Sequence, residues 1–138
     1  MREVLSAGLP SGEMAKGGVP RGAWGEEAAA AHVVAHGGRI VARNFRCKAG
    51  EVDLIAEVER VLVFGEVKAR RNFAAGRGRE AVGWKKRARL IRTALRWCSQ
   101  HGLDPDRVAM RFDVFEVAPG PVVTWLRGAF DGEGLTIG

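Results

Sequence analysis

Between Gly50 and Arg70 the chain carries two apolar runs, Gly50–Ala56 and Val61–Arg70, separated by a short polar interruption over 57–60. Both runs are rich in β-branched or aromatic residues, which predicts a β-hairpin. Side chains alternate faces along a strand, so Glu66 and Lys68 share a face. A symmetric turn on Glu59-Arg60 pairs Val58 with Val61 and opposes Asp53 to Glu66, with Cβ atoms about 4.5–5.5 Å apart. A one-residue slip would send Asp53 to the opposite face, so the turn must be even-numbered. Glu-Arg lacks the Asn-Gly chemistry of a tight two-residue turn, and a four-residue loop keeps the same register.

The flanking pattern supplies the other elements. Arg21 to His36 is apolar on most sides and reads as a helix, with Trp24, Ala28, Ala31 and Ala35 in one stripe; Gly37-Gly38 ends it. By helical rotation Glu26 lies on the Ala30–Val33 side and Glu27 nearer the Trp24 stripe. Arg39 to Arg46 is a strand with Ile40, Ala42 and Asn44 on one face and Arg43 and Arg46 looking outward. After a glycine-bearing loop over Asn72 to Gly78, a helix is expected from about Glu80 to Gln100. Its core stripe is Ala81, Trp84, Ala88, Ile91, Leu95 and Cys98. Strands follow over Val108–Val117, with Asp113 as a weak further acidic candidate, and over Val122–Leu126. The fold class is α/β: a mixed five-stranded sheet flanked by helices, in the order helix, three strands, helix, two strands. One domain spans 21–127, between a Gly- and Pro-containing arm over 1–20 and a tail over 128–138.

Charge changes this picture most. The 138 residues carry a net charge of +6, which suits a polyanionic partner. An Arg-rich proteome would raise the charge too, since 17 of the 22 basic residues are Arg. The concentration is more telling: residues 70–96 hold ten Lys or Arg and one acid, Glu80. Lys85, Arg89, Arg92 and Arg96 form a basic helical stripe, and a merely solvated face would carry mixed signs. Two cysteines, Cys47 and Cys98, make neither a disulfide framework nor a zinc site and read as residues of a reducing cytosol. The protein is expected in the cytoplasm, since no apolar run reaches the ~18 residues of a membrane span.

Ionisable groups inside the apolar hairpin are the candidate chemistry. Asp53, Glu66 and Lys68 would be costly in a strand unless paired. Two carboxylates on one sheet face repel unless a cation sits between them. With a neighbouring ammonium they form a plausible Mg²⁺ or Mn²⁺ site, since hard divalent ions take oxygen ligands and retain waters. Glu51 shares the face of Asp53 and is either a further ligand or a support for one.

These residues also carry a resemblance. Asp53 followed by Glu66-Val67-Lys68 resembles the D…ExK core of the PD-(D/E)XK nuclease superfamily. The ordered series Gly22-x-x-Gly25-Glu26-x-x-Ala29, Arg43-Asn44, Gly50-Glu51-Val52-Asp53-Leu54-Ile55-Ala56, Val63-Phe64 and Glu66-Val67-Lys68-Ala69-Arg70 resembles the YraN-like bacterial proteins. It covers about Arg21 to Val117. That family is thought to consist of endonucleases and is similar in fold to archaeal Holliday-junction resolvases. The resemblance implies a restriction-endonuclease-like fold and metal-dependent hydrolysis of DNA phosphodiesters, with branched or junction DNA ahead of other substrates and a homodimer as the assembly. It implies Asp53, Glu66 and Glu26 as metal ligands and Lys68 as the catalytic lysine. Lys86 falls where the family has a helix Lys, with Lys85 as its rival. Arg43, Arg70, Arg71, Lys85, Lys86 and Arg89 are the candidate phosphate contacts. Gly65 departs from the family pattern, which has a β-branched residue before the Glu, and Gly weakens a strand interior. This leaves room for a catalytically silent nucleic-acid-binding module; a protein–protein adaptor is a third class.

Overall fold

The computed structural model of the protein describes residues 23–69 and 83–130. Helix α1 (Ala23–Ala35) precedes strands β1 (Arg39–Cys47), β2 (Gly50–Val58) and β3 (Val61–Ala69). Helix α2 (Trp84–Gln100) then leads to β4 (Met110–Ala118) and β5 (Val122–Phe130). The arm over 1–20, Arg70, Arg71, the loop over 72–78, Glu80 and Ala81 lie outside the described residues. The element order and the mixed five-stranded sheet are as expected from the sequence.

Spatial order follows chain order, β1-β2-β3-β4-β5. Only β3 and β4 pair in parallel, and α2 belongs to the crossover that a parallel pair requires. Each sheet face has its own core. On one, Leu90, Ile91, Ala94, Trp97 and Cys98 of α2 pack on Val41, Val52, Ile55, Phe64, Phe112 and Val114. On the other, Ala29, Ala30 and Val33 of α1 pack on Leu54, Ala56, Val58, Val63, Phe115 and Val117. Burial on both faces explains why β2 and β3 are nearly continuous apolar runs rather than alternating ones.

The hairpin register is the expected one: Val58 opposes Val61 and Leu54 opposes Gly65. The connection is the two-residue turn, with φ of 52° at Glu59 and 68° at Arg60. Both central residues are left-handed, the type I′ condition that Asn-Gly normally satisfies. The strands impose this turn on a pair of residues ill suited to it.

Both helices are rotated from the stripes expected. In α2, Trp84 is 66% exposed and Leu95 half-exposed, whereas Trp97 is buried. The buried stripe sits roughly a quarter turn round from the expected one, at about 100° per residue. Trp97 decides the rotation: its ring meets Phe64 edge-on at a centroid distance of 6.0 Å. In α1, Ala29, Ala30 and Val33 face the sheet and Trp24 is only partly covered. Close approach of α1 depends on Gly25, where a Cβ would lie 2.8 Å from the Cβ of Ala69.

Two further differences have local causes. The β1–β2 register shifts between Ile40 and Ala42, so Ile40 packs on the α1 side while Ala42 joins the α2 side. β5 continues past Leu126 to Phe130. Buried Asp113 holds that continuation by accepting hydrogen bonds from the Gly128 amide (2.9 Å) and Trp125 Nε1 (2.7 Å). Arg111 completes its shell with a two-pronged contact at 2.8 and 2.9 Å. Among the described residues no helix is long and apolar enough to cross a membrane.

Candidate functional site

The ladder between β2 and β3 runs as far as Leu54 opposite Gly65. Beyond it, Asp53 and Glu66 line the same cleft. There the Asp53 side chain reaches across: its Oδ2 accepts the Val67 amide at 2.8 Å. Gly65 could have loosened this point, but a Cβ there would lie 2.7 Å from Cε1 of Phe115. The Phe115 ring fills the space, so glycine is a packing requirement and the Glu66 position is held.

Glu66 is buried, with its Oε2 2.6 Å from Nζ of Lys86 and 3.4 Å from Nζ of Lys68. Gly50, Glu51, Asp53, Glu66, Lys86, Arg89 and Leu90 line one cleft of about 230 Å³. Gly50 sets the approach of α2 to this cleft. Its φ is +152°, and a Cβ would lie 3.0 Å from Thr93 Oγ1. The helix can therefore lie close enough for Lys86 to reach Glu66.

The electrostatics are unbalanced at Asp53. Burial pushes its carboxyl up to about 7, and the charges of Glu66, Glu26 and Glu51 add to the rise, against a lowering by the Val67 hydrogen bond. Lys68 is lowered, chiefly by burial, against the raising pull of Glu66. Lys86 is raised: burial pulls it down, but its hydrogen bond to Glu66 and that carboxylate's charge outweigh the cost. A half-buried carboxylate close to three others, with both ammonium contacts made to Glu66 and Lys86 reaching Asp53 only through its charge, is incompletely compensated and suited to a further cation.

The structure thus brings together Asp53, Glu66, Lys68 and Lys86. It separates other candidates. Glu26 is near enough to raise Asp53 but does not line the cleft. Among the described residues no three Asp, Glu, His or Cys side chains form a metal-holding group, so the expected three-carboxylate set is not assembled. Glu27 turns away from the cleft to Arg43, Oε2 to Nη2 3.1 Å. Arg43 was expected to look outward; its side chain is instead 9% exposed. The register shift earlier in β1 and the left-handed Asn44 (φ 53°) break the simple alternation on which that expectation rested.

Of the rival lysines, Lys86 points to the cleft, and Lys85 lies 5.9 Å from the centroid of the Trp84 ring. Arg89 lines the cleft. Glu51 lines it too, while its Oε2 lies 3.5 Å from Nε of Arg46. The exposure of Trp84 was missed. Its flanking by Lys85, Lys86 and Arg87 was the available signal, but its helical spacing to Ala88 and Ile91 placed it in a core stripe.

Comparison with known proteins agrees with the motif resemblance. Residues 25–117 match the profile described as "Uncharacterised protein family UPF0102". The chain is 45% identical over 113 residues to the UPF0102 protein FRAAL5785 of Frankia alni, covering 79% of this chain and 92% of that protein. It is 50% identical over 97 residues to the UPF0102 protein STH1475 of Symbiobacterium thermophilum, covering 70% and 80%. With the UPF0102 protein Bcen2424_0290 of Burkholderia cenocepacia it shares 41% identity over 125 residues, covering 88% and 85%. The chain belongs to the UPF0102 family, the YraN-like proteins.

Proposed function

We propose that this UPF0102 protein is a metal-dependent endonuclease that hydrolyses phosphodiester bonds of DNA, with branched or junction DNA as the substrate suggested by resemblance. The supporting observation is the placement of Asp53 and Glu66 on neighbouring strands at one cleft, with two ammonium groups on Glu66 and the charges of three carboxylates bearing on Asp53. Asp53 and Glu66 would hold Mg²⁺ or Mn²⁺, their hard carboxylate oxygens matching such an ion. Glu26 would act from beyond the first ligands. When bound, the ion acidifies a water and neutralises charge on the phosphate.

The chain's own groups supply the rest. Lys68, held beside Glu66, orients the attacking water and stabilises charge that grows on the phosphoryl oxygens as the new P–O bond forms and the scissile one breaks. Lys86 and Arg89 line the same cleft and hold a phosphate of the backbone.

Asp53→Ala and Lys68→Ala should each abolish Mg²⁺- or Mn²⁺-dependent cleavage and leave nucleic-acid binding largely intact. A panel of branched, single-stranded and duplex DNA and RNA, with and without Mn²⁺, reads this out directly. Cleavage that persists in both purified variants refutes the assignment. A second reading, a binding module without turnover, draws on the 2.6 Å Lys86–Glu66 contact, in which the protein already supplies Glu66 with a cation. Titration with Mn²⁺ separates the two: the nuclease binds the ion and loses it in Asp53→Asn, whereas the module shows salt-dependent DNA affinity and no response to metal.

A further inference from the structure

We infer that Trp84 and the exposed basic face of α2 form a binding track for an unpaired stretch of nucleic acid. A base stacks on Trp84, and phosphates run along Lys85, Arg89, Arg92 and Arg96. This rests on the nucleic-acid reading above and adds the substrate feature that is recognised.

Three observations support it. Trp84 is 66% exposed, in the first turn of the helix that sends Lys86 and Arg89 into the cleft. Lys85 already places an ammonium 5.9 Å from the centre of that indole, where it pairs with the phosphate of a base lying on the ring. Finally, α2 carries no acid along its whole length, and Lys85, Arg89, Arg92 and Arg96 are all exposed. Their spacings of four, three and four residues keep them on one side of the helix over about 16 Å at 1.5 Å per residue. Arg89 also lines the cleft, so the track runs into the reacting site.

The chemistry selects the ligand. A face of uniform positive charge takes a polyanion. An exposed indole takes a flat π-face, and a base in an intact duplex has both its faces covered by neighbours. A flap, an overhang or a branch point offers a free base and a flexible backbone together; along its length a duplex offers only the backbone, and a blunt end only one face of a paired base.

The test is fluorescence anisotropy in EDTA, so that no cleavage intervenes, with the full chain and three labelled DNAs. These are a blunt duplex, the same duplex with an unpaired overhang of about six nucleotides, and a single strand. Trp84→Ala should weaken binding of the two unpaired ligands about tenfold and change blunt-duplex affinity less than twofold. Trp84→Phe should retain most of the affinity. Binding an unpaired ligand should quench indole emission in the wild type and less in Trp84→Phe. Arg92→Ala with Arg96→Ala should weaken every ligand and flatten the salt dependence. Equal weakening of blunt and unpaired ligands by Trp84→Ala, or no effect on either, overturns the inference. If the ligand preference depends on Trp84 but no metal-dependent cleavage is found, the track stands and the nuclease reading falls. If cleavage depends on Asp53 but Trp84→Ala leaves all affinities unchanged, only the track falls.

Discussion

Replacing Asp53 with Asn should stabilise the fold while removing the proposed activity. In the wild type, burial and neighbouring carboxylates raise the Asp53 carboxyl from the ordinary value of 3.8 to about 7. At ~1.4 kcal/mol per pH unit, holding it ionised costs the fold at most about 4 kcal/mol. Incomplete burial and relaxation reduce this, and about 2 kcal/mol is expected. Asn is nearly isosteric and its carbonyl can still accept the Val67 amide, so the contact across the strands survives. An acid whose folded pKa lies above its unfolded one stabilises the fold while protonated. That contribution is intact below about pH 4 and is lost as the pH rises through about 7.

Thermal melts of wild type and Asp53→Asn in EDTA should therefore nearly coincide at pH 4 and separate by roughly 6–10 °C at pH 8, the variant melting higher. Saturating Mg²⁺ should then close the gap, because an ion that binds only the folded wild type stabilises it by about 2.7 kcal/mol at a hundred times its Kd. Parallel curves across this pH range refute the electrostatic reading of Asp53. A gap that opens with pH but ignores Mg²⁺ leaves a half-buried acid that is no metal ligand.

Three other variants probe the frame. Glu59→Asn with Arg60→Gly installs the residues that a left-handed two-residue turn favours and should raise stability by about 1–2 kcal/mol in urea melts. No gain would mean the turn is not held in that conformation. Gly65→Val meets the Phe115 ring and should cost about 2–3 kcal/mol. Adding Phe115→Leu should recover part of that loss, a coupling that a double-mutant cycle measures and whose absence would place the clash elsewhere. Asp113→Ala strands Arg111, the Trp125 indole and the Gly128 amide and should cost about 3–5 kcal/mol, leaving Mn²⁺ affinity unchanged in the folded fraction. A selective loss of metal binding would instead make Asp113 part of the site.

The parts of the fold written in the sequence are those with one available period. The β2–β3 hairpin could be read to its register because Asp53, Glu66 and Lys68 are fixed by parity once the two apolar runs are paired. The helices offered more than one stripe. In α2, Trp84-Ala88-Ile91-Leu95 and Leu90-Ala94-Trp97 both step correctly, and only the fit of Trp97 against Phe64 and of Thr93 against Gly50 chooses between them. In β1 the register shift at Val41 changes which residues share a face, and a two-residue period cannot anticipate it. Arg43 consequently moved from a presumed phosphate contact to a partner of Glu27.

Asp113 and Asp53 show what distinguishes a site from a support within the same sheet. Both are strand aspartates set among apolar neighbours; the sequence pattern favours Asp53 and leaves Asp113 a weak candidate. Asp113 is covered to 1% exposure and receives a two-pronged guanidinium, an indole N–H and a backbone amide. Its charge is answered by the chain, which is how a buried carboxylate serves structure. Asp53 receives one backbone amide and the more distant charge of Lys86, and lies near three other carboxylates. A fold selected for stability alone would gain by neutralising it, as the Asn variant is expected to show. Retention of an anion that the chain leaves under-compensated, at a cleft lined by Lys86 and Arg89, is accounted for if the missing positive charge arrives with a ligand.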